Sequence, residues 1–403
     1  MIKKNKLDNK IIPCIIGLGY VGLPLLVNLS KKFKIIGFDI NKKRVNTLRN
    51  GIDLNNEFSK NEIPLKKNCL LTFDPKDLSK SNFYIITVPT PIQSNYKPDL
   101  SYVTNACKMI SKFMKNGDII FLESTVYPGV TNDICKNILS KTKKSFYIGY
   151  SPERVNPGDK NHTISKINKI VSIETTNRKI INKVKKVYSH VCKKIFFSKN
   201  IREAETAKVI ENIQRDLNIG LFNEIYKVCE KLNINFNEVI RLASSKWNFI
   251  KYNKGLVGGH CLPVDPYYIS YLAKKKNVNM SIVLAGRKVN NGMKNYFLNK
   301  IKKNLNKLNL KNKKICICGV TYKPNVSDMR NSLAVEISKK ISDCYSNCYT
   351  FDPLLQMNDI KKLGLRPINN LNNSDILIIL TRHNKVINLL SKFKNKIILD
   401  YFK

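Results

Sequence analysis

Residues 11–39 read IIPCIIGLGYVGLPLLVNLSKKFKIIGFD. An apolar run over 11–16 leads into Gly17-Leu18-Gly19-Tyr20-Val21-Gly22, then a helical pattern over 23–32, then a second apolar run over 34–38 that stops at Asp39. Strand, glycine turn, helix, strand is how a parallel α/β unit opens. The glycines have separate duties. Gly17 permits a tight turn, Gly19 lets backbone approach a pyrophosphate, and Gly22 lets the helix pack closely on the strand. Tyr20 and Val21 complete the loop, and the helix start offers unpaired N–H groups to phosphate. A G-x-G-x-x-G alone is weak. Asp39 strengthens it, because an acid closing the second strand takes a ribose 2′-hydroxyl. The same carboxylate opposes a 2′-phosphate, so NAD is expected rather than NADP, with Arg44 on the adenosine side.

Working outward, strands are expected over 82–88, 118–122 and 145–150. A long amphipathic helix follows over 202–232, where Ala207, Ile210, Leu217, Leu221 and Ile225 recur at mostly helical spacings. Further helices are expected over 237–244 and 281–304. The pattern restarts with strands over 314–320, 348–351, 375–380 and 396–401 and a helix over 333–342. The expected fold is α/β, with two Rossmann-like parallel-sheet domains joined by a long central helix and a helical middle domain. The boundaries are 1–199, 200–306 and 307–403. The last domain has nucleotide-binding topology without a glycine fingerprint.

The formal net charge is +42. Such an excess raises the possibility of a polyanion partner, nucleic acid or an anionic membrane. The lysines are scattered, however, and Lys, Asn and Ile crowd the chain together, which reads as A/T-rich codon usage. No nucleic-acid motif accompanies the charge, so neither nucleic-acid binding nor membrane insertion is expected. The start Met1 to Lys6, followed by a charge-free run over 11–30, imitates a signal peptide. Gly17, Gly19, Gly22, Pro13 and Pro24 interrupt it, and a soluble βαβ unit accounts for it. The eleven cysteines have no metal-ligand spacing, and the four histidines form no H-x-x-x-H pair. Reduced thiols in a cytoplasmic protein without a metal are expected. Cys316 and Cys318 alternate on one strand face.

The segment Gly258-Gly259-His260-Cys261-Leu262-Pro263-Val264-Asp265-Pro266 carries the chemistry. Two glycines admit a ligand to the backbone, two prolines stiffen the loop, and a thiol and a carboxylate sit between. A thiol adds to an aldehyde to give a thiohemiacetal, which oxidises to a thioester. A lone cysteine is usually core filler; this setting argues otherwise. His260 is read as structural.

At this point the chain resembles the UDP-glucose/GDP-mannose dehydrogenase family. The resemblance rests on residues 17–24, Val88-Pro89-Thr90-Pro91, Glu123-Ser124-Thr125-Val126, Ser151-Pro152-Glu153-Arg154, residues 208–212, the Cys261 loop, and Tyr322-Lys323-Pro324 to Arg330. It implies that Thr125, Glu153, Lys208, Asn212, Cys261 and Asp265 are catalytic. Lys208 and Asn212 stabilise an oxyanion and position a water, Asp265 orients Lys208 or helps remove a proton, and Glu153 activates a water held by Thr125. It further implies NAD contacts from Thr90, Thr125 and Arg330. UDP-sugar contacts are implied for Arg154, Lys208, Asn212, Lys254, Gly255, Leu256, Gly258, Tyr322 and Lys323, in a homodimer or larger homo-oligomer. Two departures bear on the sugar. Some UDP-glucose enzymes have a glutamate where Gly149 stands, and some supply a neighbouring subunit's arginine where this chain has Ser245-Lys246-Trp247-Asn248. The segments around 246–249, 255–261, 264–268 and 211–218 resemble the branch acting on UDP-N-acetylhexosamines, for surface polysaccharides. UDP-GlcNAc or UDP-GalNAc is therefore expected, with UDP-glucose or GDP-mannose as the alternative. Loss of a carboxylate at Gly149 is read as making room for an acetamido group.

Overall fold

The computed structural model describes residues 10–55, 57–65, 68–155, 159, 161 and 163–403. The signal-like start, Met1 to Lys6, lies outside them. The chain forms two compact units, Met1–Glu211 with Tyr267–Asn277, and Asn212–Pro266 with Val278–Lys403. The long helix Ile201–Lys231 is divided between them.

The first unit is built on β1 (Pro13–Ile16), β2 (Ile35–Phe38), β3 (Cys69–Thr72), β4 (Phe83–Ile86), β5 (Asp118–Leu122), β6 (Phe146–Tyr150), β7 (Asn168–Ile173) and β8 (Lys194–Ser198). Their order is β3-β2-β1-β4-β5-β6-β7-β8. The first six strands of that row have the doubly wound dinucleotide-binding order. All neighbours are parallel except β6 and β7, which are antiparallel. The sequence reading expected only parallel strands and did not include β3, β7 or β8. Side chains alternate across the sheet as strand geometry requires. Ile15, Ile35, Ile85 and Phe121 enter one buried cluster, and Cys14, Ile36, Ile86 and Leu122 the other. Helices therefore cover both faces, among them Gly22–Leu29 and Ser101–Phe113.

The second unit has β9 (Ile315–Cys318), β10 (Cys348–Phe351), β11 (Ile376–Ile379) and β12 (Ile397–Asp400), all parallel, in the order β10-β9-β11-β12. Ile315 and Ile317 pack into one cluster; Cys316 and Cys318 pack into the other, on one face as expected. The helices Phe236–Ala243, Ser281–Leu305 and Leu333–Cys344 match the sequence reading to within a few residues. None of the eleven cysteines is in a disulfide. No helix among the described residues is long and apolar enough to cross a membrane.

Candidate active site

The glycine turn follows β1. Gly17 has φ 96°, where L side chains are strained. A Cβ on Gly22 would lie 1.8 Å from the Gly17 carbonyl oxygen, so the helix can start there only on glycine. A Cβ on Gly19 would meet nothing within 4 Å, which leaves open space beside the exposed backbone of the turn. The Asp39 carboxylate accepts from the Leu18 N–H (2.8 Å) and the Asn41 N–H (2.9 Å). Turn and acid are thus joined as one cradle, and these residues fit the NAD that the sequence implies. The hydroxyl of Thr87, which the sequence reading missed, donates to the Gly17 carbonyl at 2.7 Å. Tyr20 and Val21 lie in the turn, both half-buried.

Arg44 packs against the glycine turn. It is 8% exposed. Its Nε donates to the Leu18 carbonyl at 2.8 Å and its Nη1 pairs with Asp53 at 2.7 Å. It braces the glycine turn from behind.

The carboxyl ends of β4, β5 and β6 carry Thr90, Thr125 and Glu153. The Thr90 carbonyl accepts from the buried Tyr268 hydroxyl. Ser124 ties the β5 end to the Val88 carbonyl at 2.6 Å, setting the half-buried Thr125 beside it. The Glu153 Oε1 accepts the N–H groups of Arg154 and Val155, both at 2.6 Å. Beneath Glu153 lies Lys169, which no motif indicated. Its Nζ is 2.6 Å from Glu123 Oε2, 3.2 Å from the Pro152 carbonyl and 3.5 Å from Glu153 Oε2. Burial, opposed by Lys169 and reinforced by the Glu153 charge, pushes the Glu123 carboxyl up to about 7. Burial alone would lower Lys169, but the two carboxylates more than offset it and raise it. The signal was present as a lysine inside the strand-like run Asn168-Lys169-Ile170-Val171-Ser172-Ile173. The Arg154 guanidinium pairs with Glu211 at 2.7 Å, so its expected substrate contact competes with a helix partner.

Gly149 has no room around it. A Cβ there would lie 2.4 Å from the Phe121 ring and 2.6 Å from the Ser172 carbonyl oxygen. The absent side chain's space is filled by packing, which corrects the idea that Gly149 makes room for an acetamido group.

Lys208 and Asn212 are one turn apart on Ile201–Lys231 and both are buried. In the second unit the Asn212 amide donates to the Asp265 carboxylate at 2.5 Å. Asp265 thus orients Asn212, a pairing the expectation that it orients Lys208 did not contain. Asp265 opens the helix Asp265–Lys275, and the Cys261 carbonyl receives the N–H groups of Val264 (3.0 Å) and Asp265 (2.9 Å). The Cys261 side of this turn is exposed. The glycine pair before it is dictated by neighbours. A Cβ on Gly258 would meet the Asn331 carbonyl oxygen at 2.7 Å, and one on Gly259 (φ 87°) the Tyr322 ring at 2.7 Å. Asn331 donates to the Gly259 carbonyl at 3.0 Å, and the Gly259 N–H to the Arg330 carbonyl at 3.2 Å. The loop is thereby strapped to the segment holding Tyr322, Lys323 and Arg330. Arg330 forks onto Asp328, its closest nitrogen at 2.6 Å. Burial, then the Arg330 charge, lowers the His260 imidazole.

Asn223 clamps Gly255 by both backbone groups, at 2.8 and 3.0 Å. Behind it stand Asn290, Asp216 and Arg287, all buried, with Arg287 paired to Asp216 at 2.6 Å. This network holds the loop of Lys254, Gly255 and Leu256, and the sequence reading missed it because its members are scattered over two helices. Lys254 lies over the rings of Tyr226 (4.9 Å) and Phe236 (5.1 Å), with Leu256 against the same cluster.

Comparisons with known proteins bear on this arrangement. Three profiles of the UDP-glucose/GDP-mannose dehydrogenase family match: the NAD binding domain over residues 10–192, the central domain over 202–292 and the UDP binding domain over 316–403. The chain is 40% identical to a UDP-N-acetyl-D-glucosamine 6-dehydrogenase of Salmonella typhi, over 92% of this chain and 89% of that protein. It is 34% identical to a UDP-N-acetyl-D-mannosamine dehydrogenase of Methanocaldococcus jannaschii, over 99% and 93%. Among solved structures, the UDP-D-ManNAc dehydrogenase of Pyrococcus horikoshii superimposes with a TM-score of 0.85 at 28% identity, covering 97% of this chain and 95% of that one.

Proposed function

We propose that this chain, which belongs to the UDP-glucose/GDP-mannose dehydrogenase family, oxidises the C6 alcohol of a UDP-N-acetylhexosamine to the uronic acid through a thioester on Cys261. That it is an NAD-dependent nucleotide-sugar dehydrogenase follows from the family; the sugar and the covalent route are the proposal. The observation carrying the sugar is the likeness to the Salmonella typhi UDP-N-acetyl-D-glucosamine enzyme along nearly the whole chain. UDP-N-acetyl-D-glucosamine is accordingly assigned first, as a precursor of surface polysaccharide. UDP-N-acetyl-D-mannosamine is a second reading, favoured by the archaeal relative.

The turn at Gly17, Gly19 and Gly22 with Asp39 would hold NAD, which would supply the hydride acceptor for each of two oxidations. The chain's own residues do the rest. The Asp265 carboxylate, oriented by Asn212, takes the C6 hydroxyl proton. The Cys261 sulfur bonds to the aldehyde carbon, and its proton goes to the carbonyl oxygen. Lys208 and Asn212 steady the negative charge that develops on that oxygen before the proton arrives. The second oxidation removes a hydride from the carbon while the hydroxyl proton leaves to solvent, giving a thioester, and a water held by Thr125 then adds its oxygen to the carbonyl carbon. Its proton passes to Glu153, and the C–S bond breaks to return the Cys261 thiol and release the acid. A homodimer belongs to the same reading, supported by the exposed stripe Ile210, Leu221, Val228 and Leu232 along the long helix.

NADH formation compared across UDP-GlcNAc, UDP-GalNAc, UDP-ManNAc, UDP-glucose and GDP-mannose tests the sugar. The highest kcat/KM is expected with UDP-GlcNAc, at two NADH per uronate; a preference for UDP-glucose or GDP-mannose would overturn it. Cys261→Ser is expected to stop uronate formation. Full uronate production by that variant would exclude the covalent route.

A further inference from the structure

We propose that Lys169 is a positioning residue for the hydrolytic half-reaction, setting the Glu153 carboxylate, with Glu123 as the anchor that keeps the ammonium in place. The inference rests on the reading of Glu153 as the group that activates water.

Topology brings the three together. β7 runs against β6 with Gly149 opposite Ile173 and Tyr150 opposite Ser172. Continuing that register sets Glu153 across from Lys169. Because β7 is reversed, its first residues lie at the edge where β5 and β6 end, the edge at which doubly wound sheets bind ligands. A lysine at the start of β7 therefore reaches Glu123, the first residue beyond β5.

The ammonium has three protons and three acceptors: Glu123 at 2.6 Å, the Pro152 carbonyl at 3.2 Å and Glu153 at 3.5 Å. It grips both the backbone just before Glu153 and the Glu153 side chain. With Oε1 held by two backbone N–H groups, Glu153 is fixed at both oxygens. Exposure separates the roles. The Lys169 and Glu123 side chains are 2% and 0% exposed, whereas Glu153 is 12% exposed. Only Glu153 reaches outward, and the other two stand behind it.

A stability role explains the trio poorly. Buried ion pairs return little net stability after desolvation, and here one cation serves two carboxylates. A support that orients a working carboxylate accounts for the arrangement, because the orientation of a base limits its rate.

Lys169→Met alone leaves Glu123 buried without its cation and invites unfolding. The decisive protein is therefore the double variant Lys169→Met with Glu123→Gln, which removes cation and anchor together, measured beside Glu153→Gln in full-length enzyme with UDP-GlcNAc and NAD. A general base contributes about 10²–10⁴-fold, so losing its support is expected to slow steady-state uronate release by at least about tenfold. The early burst of NADH and kcat/KM for the UDP-sugar should stay near wild type, with KM falling alongside kcat, and intact-protein mass spectrometry should find the sugar acyl group on Cys261. Glu123→Gln alone, which keeps an acceptor for the ammonium, should slow the same step less. If the double variant releases uronate without acyl-enzyme accumulating, or slows burst and release together, Lys169 is structural and the inference falls. If Glu153→Gln itself accumulates no acyl-enzyme, the reading of Glu153 falls, and with it the inference. Accumulation in Glu153→Gln but not in the double variant sinks the inference alone.

Discussion

At the scale of single residues, Gly149 shows how a sequence difference can mislead. Glycine where some relatives have glutamate suggested space for a larger sugar. The structure instead puts the Phe121 ring and the Ser172 carbonyl against the missing side chain. Phe121 is fully buried and stacks on Phe83 with ring centroids 5.7 Å apart, so it cannot yield cheaply. Gly149→Ala is expected to destabilise the protein by about 1–3 kcal/mol, the usual cost of overpacking, read as a lower Tm. Adding Phe121→Leu should recover part of the loss. If Gly149→Ala leaves Tm unchanged and alters sugar preference, the packing account is wrong. What a motif could carry was legible: the turn glycines, Asp39, and the Cys261 loop. Partners fixed by neighbours distant in sequence, such as Tyr322 against Gly259 or Lys169 under Glu153, were not.

At the scale of elements, legibility followed hydrophobic pattern. β1, β2, β4, β5, β9, β10 and β11 are short apolar runs and were found. β7 and β8 carry Lys169 and Lys194 within them and were missed, although only the first is buried. The helix Asp265–Lys275 was hidden by the prolines that open it. The end of β5 makes a pH prediction. Burial first, with Glu153 adding to it, holds the Glu123 carboxyl at about 7 in the folded protein, above its ordinary 4.5. The folded state therefore binds this proton more tightly than the unfolded chain. That contribution is complete below about 4.5 and is lost as pH rises through about 7. Lys169, itself raised, keeps its charge across the window. Stability of wild type minus that of Glu123→Gln, from denaturant melts between pH 4.5 and 8, should fall with rising pH and level off above about 8. A difference that is flat, or that rises, contradicts the assignment.

At the scale of the whole molecule, the charge of +42 acts twice, with opposite signs. Like charges repel within the fold, and salt relieves that repulsion. The same field draws in anionic ligands, and salt weakens that attraction. At about 0.01 M salt the screening length is about 30 Å, comparable to a domain; at about 0.15 M it is about 8 Å. Raising sodium chloride across this range should therefore increase Tm while raising KM for the UDP-sugar, with kcat nearly unchanged because chemistry follows binding. The direction of both changes is the test. A Tm that falls with salt would mean that ion pairs such as Arg202–Asp133 and Lys294–Glu336 outweigh the net repulsion. A KM indifferent to salt would mean that the lysines are too dispersed to steer the substrate, leaving the charge to composition alone. If added duplex DNA inhibits at low salt and is released along a steep log–log slope, the positive surface takes a polyanion as well.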